Sequence, residues 1–292
     1  MNKILITGAQ SFIGTNFIRY SKNRDIREIS IYNITPDTID FRNIDIVLHL
    51  AAIVHINRNI RKEDYYRINR DLVIEVARYA KSAGVKHFIF LSTVKVYGTF
   101  SQDVYPLNEE SSCNPVDYYG KSKYEAEQEL RTLSDSNFTV SIIRTPIVYG
   151  DDVKANMSKL IKLIKKFSVL PLAKIDNKRN YTYIENLTGF IDRIIDLKAP
   201  GTFIVMDDHA ISTTNLVNLL SKSLGKKIIL FRLPKIIIKL GTIFLPELFG
   251  RLYGSFELDN SITKKILDFK PPFSTDEGIR RMIESYKNQL IN

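Results

Sequence analysis

The chain opens with the apolar stretch "KILITGA", which turns directly into "SFIGTNFIRYSKN", a buried strand followed by a helical pattern. A strand buried on both faces and followed at once by a helix is the unit of a parallel sheet. The unit recurs. "EISIYNI", "DIVLHLAA", "VKHFIFLST" and "FTVSIIRTPIVYG" read as further strands, and "YYRINRDLVIEVARYAKSAG" as a long amphipathic helix stopped at Gly84. Only about ten residues around "TPDTIDFRN" separate the second and third strands, fewer than a full crossover helix needs. That crossover is predicted to be abbreviated.

Beyond Gly150 the pattern changes to helix-like runs at Lys159–Phe167, Thr213–Leu224 and Pro234–Phe249, with short strands such as "GTFIVMDD". There is no internal repeat or low-complexity tract. The reading is an α/β fold: a Rossmann-like, doubly wound parallel sheet with a smaller mixed α/β domain. The division expected is 1–152 plus 179–207 for a dinucleotide-binding part and 153–178 plus 208–292 for a substrate part, with the ligand in the crevice between them.

Composition narrows the function. With 44% hydrophobic and 25% charged residues, the chain can build a substantial core. A formal net charge of +10 fits an anionic ligand or a basic surface, but no basic tail or block marks a nucleic-acid partner. "KLIKLIKKF" reads first as an amphipathic helix with a solvated face and second as a phosphate-attracting rim. The single cysteine, Cys113, excludes an internal disulfide and fits a reducing cytoplasm. Its neighbours "SSCNP" offer no basic partner, and the histidines show no metal-ligand spacing. No signal peptide is expected ahead of "MNKILITG". "LPKIIIKLGTIFLPELFG" is interrupted by lysines and prolines, so stable membrane insertion is not expected; a surface-seeking amphipathic helix or a core or lid helix both fit.

Two constellations carry chemistry. In "TGAQSFIG", Gly8 and Gly14 hold the outer places of a G-x-x-G-x-x-G spacing and Ser11 the middle one. Such a turn between strand and helix lets a pyrophosphate approach the backbone at a positive helix N-terminus. The acidic residue expected about twenty residues on, for a ribose, is absent: Tyr32 and Asn33 stand there. The second constellation is "DYYGKSK". On a helix, Tyr119 and Lys123 share a face, whereas Tyr118 is matched with Ser122. A cation beside a phenol favours phenolate and draws its pKa down from about 10 towards the working range. Chance placement on a surface helix is the bland alternative. Ser92 and Thr93 end a strand at the edge where parallel sheets bind ligands.

Taken together, "TGAQSFIG", "HLAA", "LSTVKVYG", "YYGKSK", "RTPIVYG" and "RNYTYIENL" resemble, in order and over nearly the whole chain, the extended short-chain dehydrogenase/reductase superfamily, in its nucleotide-sugar epimerase/dehydratase group. The resemblance implies NAD(H) or NADP(H) as cofactor, a nucleotide sugar, UDP-linked, as substrate, and a catalytic set of Thr93, Tyr119 and Lys123. It implies cofactor contacts at Gly8, Ser11, Phe12, Ile13, Gly14, Tyr32, Asn33, Asp40, Phe41, Leu50, Ala51 and Ala52, with Lys123 on the nicotinamide ribose. Ser92, Thr93, Tyr119, Asn156 and Arg179 are implied on the substrate side, the last two at its pyrophosphate. A homodimer through the helices near Tyr65–Ala83 and Tyr118–Leu133 is implied too, although amphipathic helices also bury a face in a monomer.

Members that eliminate water carry Asp-Glu after the catalytic Thr, where this chain has Val94 and Lys95. A dehydratase is therefore disfavoured. A 4-keto reductase and a 4-epimerase remain. The missing ribose carboxylate and the substituted glycine favour the reductase, and "STVKVYG" resembles the bacterial group that reduces UDP-4-keto-6-deoxy-N-acetylhexosamines for capsule and O-antigen. A non-catalytic dinucleotide sensor would be expected to lack the Tyr–Lys pair.

Overall fold

In the computed structural model, the described residues are 2–21, 25–32, 34–54, 60–99, 106–153 and 155–289, with backbone alone for Ala155 and Asn156. The first half supplies β1 (Lys3–Thr7), α1 (Phe12–Tyr20), β2 (Asp25–Ile29), β3 (Ile46–His49), α2 (Lys62–Tyr66), α3 (Leu72–Ser82), β4 (His87–Thr93), α4 (Tyr118–Leu133) and β5 (Thr139–Thr145). The second half supplies β6 (Ile147–Tyr149), α5 (Ala155–Lys166), β7 (Val169–Leu170), β8 (Tyr181–Tyr183), α6 (Ile184–Leu197) and β9 (Gly201–Ile204). After these come α7 (Thr213–Leu224), β10 (Ile229–Leu230), α8 (Lys235–Phe244), α9 (Pro246–Tyr253), α10 (Ser261–Leu267) and α11 (Thr275–Asn288).

Six strands form one parallel sheet in the order β2-β1-β3-β4-β5-β9. The inner strands are apolar on both faces because helices cover both. Phe17 of α1 and Phe190 of α6 pack beneath one face with Ile4, Ile6 and Ile89. Val76 and Ala77 of α3 and Ala126 of α4 cover the other, over Leu5, Phe88 and Phe90. The chain steps outward from β1 to β2 and then returns across β1 to β3. This reversal opens a crevice above the C-terminal ends of β1 and β3.

Four departures from the sequence reading have local causes. The second strand lies at Asp25–Ile29 rather than at "EISIYNI", because it pairs residue for residue with β1 and ends where β1 meets its glycine turn. The long helix ending at Gly84 is divided by one π turn at Arg67–Asp71. "FTVSIIRTPIVYG" breaks at Pro146, which has no N–H for the ladder; β6 leaves the sheet and pairs with β8. Pro234–Phe249 breaks at Leu245, since Pro246 disfavours helical geometry in the residue before it. The abbreviated crossover is present as a single 3-10 turn, Pro36–Thr38.

Candidate active site

The turn after β1 is shaped by two close approaches. Gly8 has φ +105°, and a Cβ there would lie 2.8 Å from the Ala51 nitrogen, so only glycine fits the backbone against the end of β3. Ser11 caps α1, its Oγ accepting from the Gly14 N–H at 3.1 Å. Accepting leaves its own proton to donate outward. The first turn of α1 carries no acidic side chain, so the positive end of the helix is not neutralised. Phe12 and Ile13 are partly buried and pack on the core below. The residues present therefore fit a pyrophosphate.

The facing wall follows β3. Leu50 and Ala51 are buried, and the Leu50 N–H donates to the Thr7 carbonyl at 2.9 Å. His49 is bonded to Thr7 Oγ1 at 2.9 Å, and burial together with the nearby Lys123 charge brings its pKa down to about 3, so its imidazole is neutral. Asn69, fully buried in the π turn, clamps the loop beyond: its Oδ1 accepts from Ile53 N–H at 2.8 Å, and its Nδ2 donates to the Ile53 carbonyl at 3.0 Å. Tyr32 reaches across from the end of β2 and donates its hydroxyl to the Ala52 carbonyl at 2.9 Å. With β2 ending at Ile29, the residues from Ser30 to Tyr32 supply no carboxylate for a ribose. Asn33 lies outside the described residues. Asp40 is an exposed partner of Arg42, which holds its carboxylate well below the usual range. Phe41 was expected beside adenine, but its ring is buried in the core with Leu5, Val47 and Ala77.

Opposite this wall, β4 ends at Thr93, whose Oγ1 caps the 3-10 turn Val94–Tyr97. Helix α4 begins at Tyr118 behind the capping residue Asp117, which accepts from the Gly120 N–H at 2.7 Å. A Cβ at Gly120 would lie 2.9 Å from the Lys95 carbonyl oxygen, so this glycine lets the helix start sit against the strand end. The contact brings Tyr119 to Thr93, and their side chains hydrogen-bond. Lys123, one turn along the same face, is buried; its Nζ donates to the Leu91 carbonyl at 2.9 Å and lies 4.3 Å from the centroid of the Phe90 ring. Tyr118 is exposed, with the Lys62 ammonium 5.8 Å from its ring.

The protonation balance differs from the sequence expectation. Burial pushes the Tyr119 phenol up to about 12, while the Thr93 bond acts the other way. Burial also pulls the Lys123 ammonium down to about 7, partly offset by Glu127. Desolvation dominates both groups, so the phenol is raised rather than lowered as the Tyr–Lys spacing implies.

Two implied substrate contacts are buried against protein partners. Ser92 points to the opposite side of β4 from Thr93 and donates to Glu127 Oε1 at 2.5 Å. Glu127 also receives the Arg144 guanidinium, with Nη2 to Oε2 at 2.5 Å, and Arg144 donates to the Tyr97 hydroxyl at 2.8 Å. Ser92 thus belongs to a buried network under the site and not to its lining. Arg179 is buried between β8 and α9, its Nη1 donating to the Arg251 carbonyl at 2.7 Å, and burial lowers its pKa. The Asn156 side chain lies outside the described residues.

The glycine turn, the hydrogen-bonded Thr93–Tyr119 pair and the reversal of the sheet between them lie within residues 4–205, which the sequence model of the NAD dependent epimerase/dehydratase family matches. The chain belongs to that family. Among relatives, it is 34% identical to the UDP-glucose 4-epimerase of Vibrio cholerae, over 97% of this chain and 95% of that one. It is 27% identical to the N-acetyl-alpha-D-glucosaminyl-diphospho-ditrans,octacis-undecaprenol 4-epimerase of Escherichia coli O157:H7, over 80% and 76%. Among solved structures, UDP-glucuronic acid 4-epimerase from Bacillus cereus in complex with NAD superposes with a TM-score of 0.77 at 19% identity, over 99% and 100% of the two chains.

Within this family fold, sequence reasoning missed Asn69, Asp117 and the Glu127–Arg144 pair. Asn69 left a usable signal, a polar side chain on the apolar face of a helix. Asp117 was legible as a cap residue directly before the helix. The Glu127–Arg144 pairing joins α4 to β5 and left no local trace.

Proposed function

We propose that this protein is a UDP-sugar 4-epimerase, acting at C4 of a hexose or N-acetylhexosamine. The observation that carries the proposal is the Thr93–Tyr119 hydrogen bond at the crevice edge, with Lys123 on the same helix face. The relative matched along almost its whole length, a UDP-glucose 4-epimerase, supports this reaction over the reductase favoured by the motifs.

NAD(H) or NADP(H), held at Gly8, Ser11, Gly14, Ala51 and Ala52, would supply the acceptor and donor of hydride for C4. Thr93 orients the C4 oxygen. Tyr119, in its phenolate form, would take its proton as C4 becomes a ketone and, then a phenol, would return it on reduction from the other face. Lys123, on the same helix face, would hold a ribose and, in its protonated form, would favour the phenolate. The two residues after Thr93 do not equip the site for elimination of water: Val94 has no proton to transfer, and Lys95 is tied to Asp117 at 2.6 Å.

The 4-keto reductase is the second reading, favoured by the absence of a carboxylate from Ser30 to Tyr32, which would ease cofactor exchange. The proposal includes division into 1–152 plus 179–207 for the cofactor and the remainder for the sugar, supported by β9 completing the six-stranded sheet. A cytoplasmic location and a homodimer through α2–α3 and α4 complete it.

The deciding experiment follows purified protein with UDP-glucose or UDP-N-acetylglucosamine and no added cofactor. Appearance of the 4-epimer supports the epimerase. Steady, stoichiometric loss of NADH or NADPH absorbance with UDP-4-keto-6-deoxy-N-acetylglucosamine, without epimerisation, would replace it with the reductase. Bound cofactor with neither reaction would leave a dinucleotide sensor.

A further inference from the structure

Helices α8 and α9 form a hairpin on the side of the protein bearing Arg179, and neither helix contains a buried residue. At about 100° per residue, Ile236, Ile237, Leu240, Ile243 and Phe244 fall on one side of α8. They are 62%, 45%, 46%, 63% and 76% exposed. The side that packs is the flank next to Ile237, carrying Ile238 and Gly241, which are half-buried: Gly241 lies so close to the Phe249 ring that a Cβ would sit 2.1 Å from Cζ. Leu245 and Leu248, 55% and 51% exposed, extend the apolar face around the bend. So large a contiguous apolar surface marks an interaction site.

The charge around this face indicates its partner. Helix α8 has no acidic residue, while Lys235 and Lys239 are exposed along its flank, and Arg232 is exposed just before it. The acidic residue of α9, Glu247, is paired with Arg251 at 3.2 Å. A twofold contact with a second copy would oppose this patch to itself, lysine rim against lysine rim, with no carboxylate free to receive them. A helix with an apolar face, a basic flank and no length to span is suited to lie in the plane of a membrane surface. No helix among the described residues is long and apolar enough to cross one.

We infer that the α8–α9 hairpin docks this protein onto the surface of an anionic phospholipid bilayer, with Ile236, Leu240, Ile243 and Phe244 among the headgroups. The docking is peripheral and reversible, and it is independent of which sugar the active site takes. Because Arg179 Nη1 is bonded to the Arg251 carbonyl at the end of α9, docking would bring the side of the protein that carries Arg179 towards the lipid.

The chain contains no tryptophan, so Phe244→Trp places a single indole reporter on the face. With vesicles of phosphatidylcholine and phosphatidylglycerol, the full-length variant should show a blue-shifted emission and quenching by brominated acyl chains. Unmodified protein should co-sediment with the same vesicles, less with pure phosphatidylcholine, and less as salt is raised. Ile243→Glu/Phe244→Glu should lower the vesicle-bound fraction about tenfold or more, with the circular dichroism spectrum and turnover on a soluble nucleotide sugar retained. Absence of blue shift and co-sedimentation on anionic vesicles would overturn the proposal. So would retained binding by the double glutamate variant. A concentration-dependent dimer that this variant breaks, without vesicle binding, would instead assign the face to a second copy.

Discussion

Lys95 and Asp117 are joined by an ion pair of 2.6 Å at the start of α4, and the same ammonium lies 5.7 Å from the centroid of the Tyr119 ring. Asp117 also caps the helix, and its negative charge raises the Tyr119 pKa. The pair therefore fixes where the phenol sits and limits how strongly the carboxylate opposes its ionisation. In Lys95→Met the carboxylate is no longer neutralised. The pKa governing kcat should move up, with kcat at pH 7 falling about tenfold. Adding Asp117→Asn, which still caps, should bring it back down. A pH–rate profile unchanged in Lys95→Met would show that the pair is structural only.

Tyr119→Phe should lower kcat by about 10² to 10⁴-fold while cofactor binding and thermal unfolding stay close to the unmodified protein. Tyr118→Phe should remain within a few-fold of full activity, since that ring faces solvent. Steady-state kinetics of the two variants side by side test the helix-face assignment. A dead Tyr118 variant would reverse it.

Lys123 makes stability depend on pH with a definite sign. Its pKa is about 7 in the fold, against about 10.4 in an unfolded chain. Between those values the unfolded chain binds more protons, so this group makes stability rise with pH through that window. Below pH 7 the burial of the charge opposes folding in full. Lys123→Met should accordingly be stabilised more at pH 6.5 than at pH 9.5, and it should be inactive. Denaturant midpoints without added cofactor, compared with the unmodified protein at each pH, give the difference directly.

The buried Glu127–Arg144 pair yields a contrast between single and double variants. Arg144→Met leaves the fully buried Glu127 carboxylate with, among the described residues, only the half-exposed Arg131, at 3.3 Å, as an ion-pair partner, and a loss of about 3 kcal/mol is expected. Arg144→Met combined with Glu127→Gln should recover much of that. Ser92→Ala, which removes a hydrogen bond to the same carboxylate but nothing lining the site, should reduce stability modestly and leave KM for the nucleotide sugar unchanged. A KM increase in Ser92→Ala would return that serine to the substrate side.

The sequence by itself determined the parallel sheet, the glycine turn and the placing of Tyr119 and Lys123 on one helix face. Each of these is set by spacing along a single element: an apolar strand, a turn that excludes Cβ, a helix with a period of about 3.6 residues. The same local logic placed Thr93 at the end of β4. What it could not supply were relations between elements. Only the folded chain turns Ser92 away from the crevice towards Glu127 and buries the Phe41 ring in the core. Only the fold draws Arg179 onto the α9 carbonyls and places Asn69 over the loop after β3. Only the tertiary structure decided that burial, acting on Tyr119 and Lys123 together, would govern their protonation. Desolvation depends on every atom packed around a group, and those atoms come from β4, α4 and the turns between them. It also decided that α8 would present its apolar side to solvent, since an amphipathic pattern names the apolar face but not what covers it.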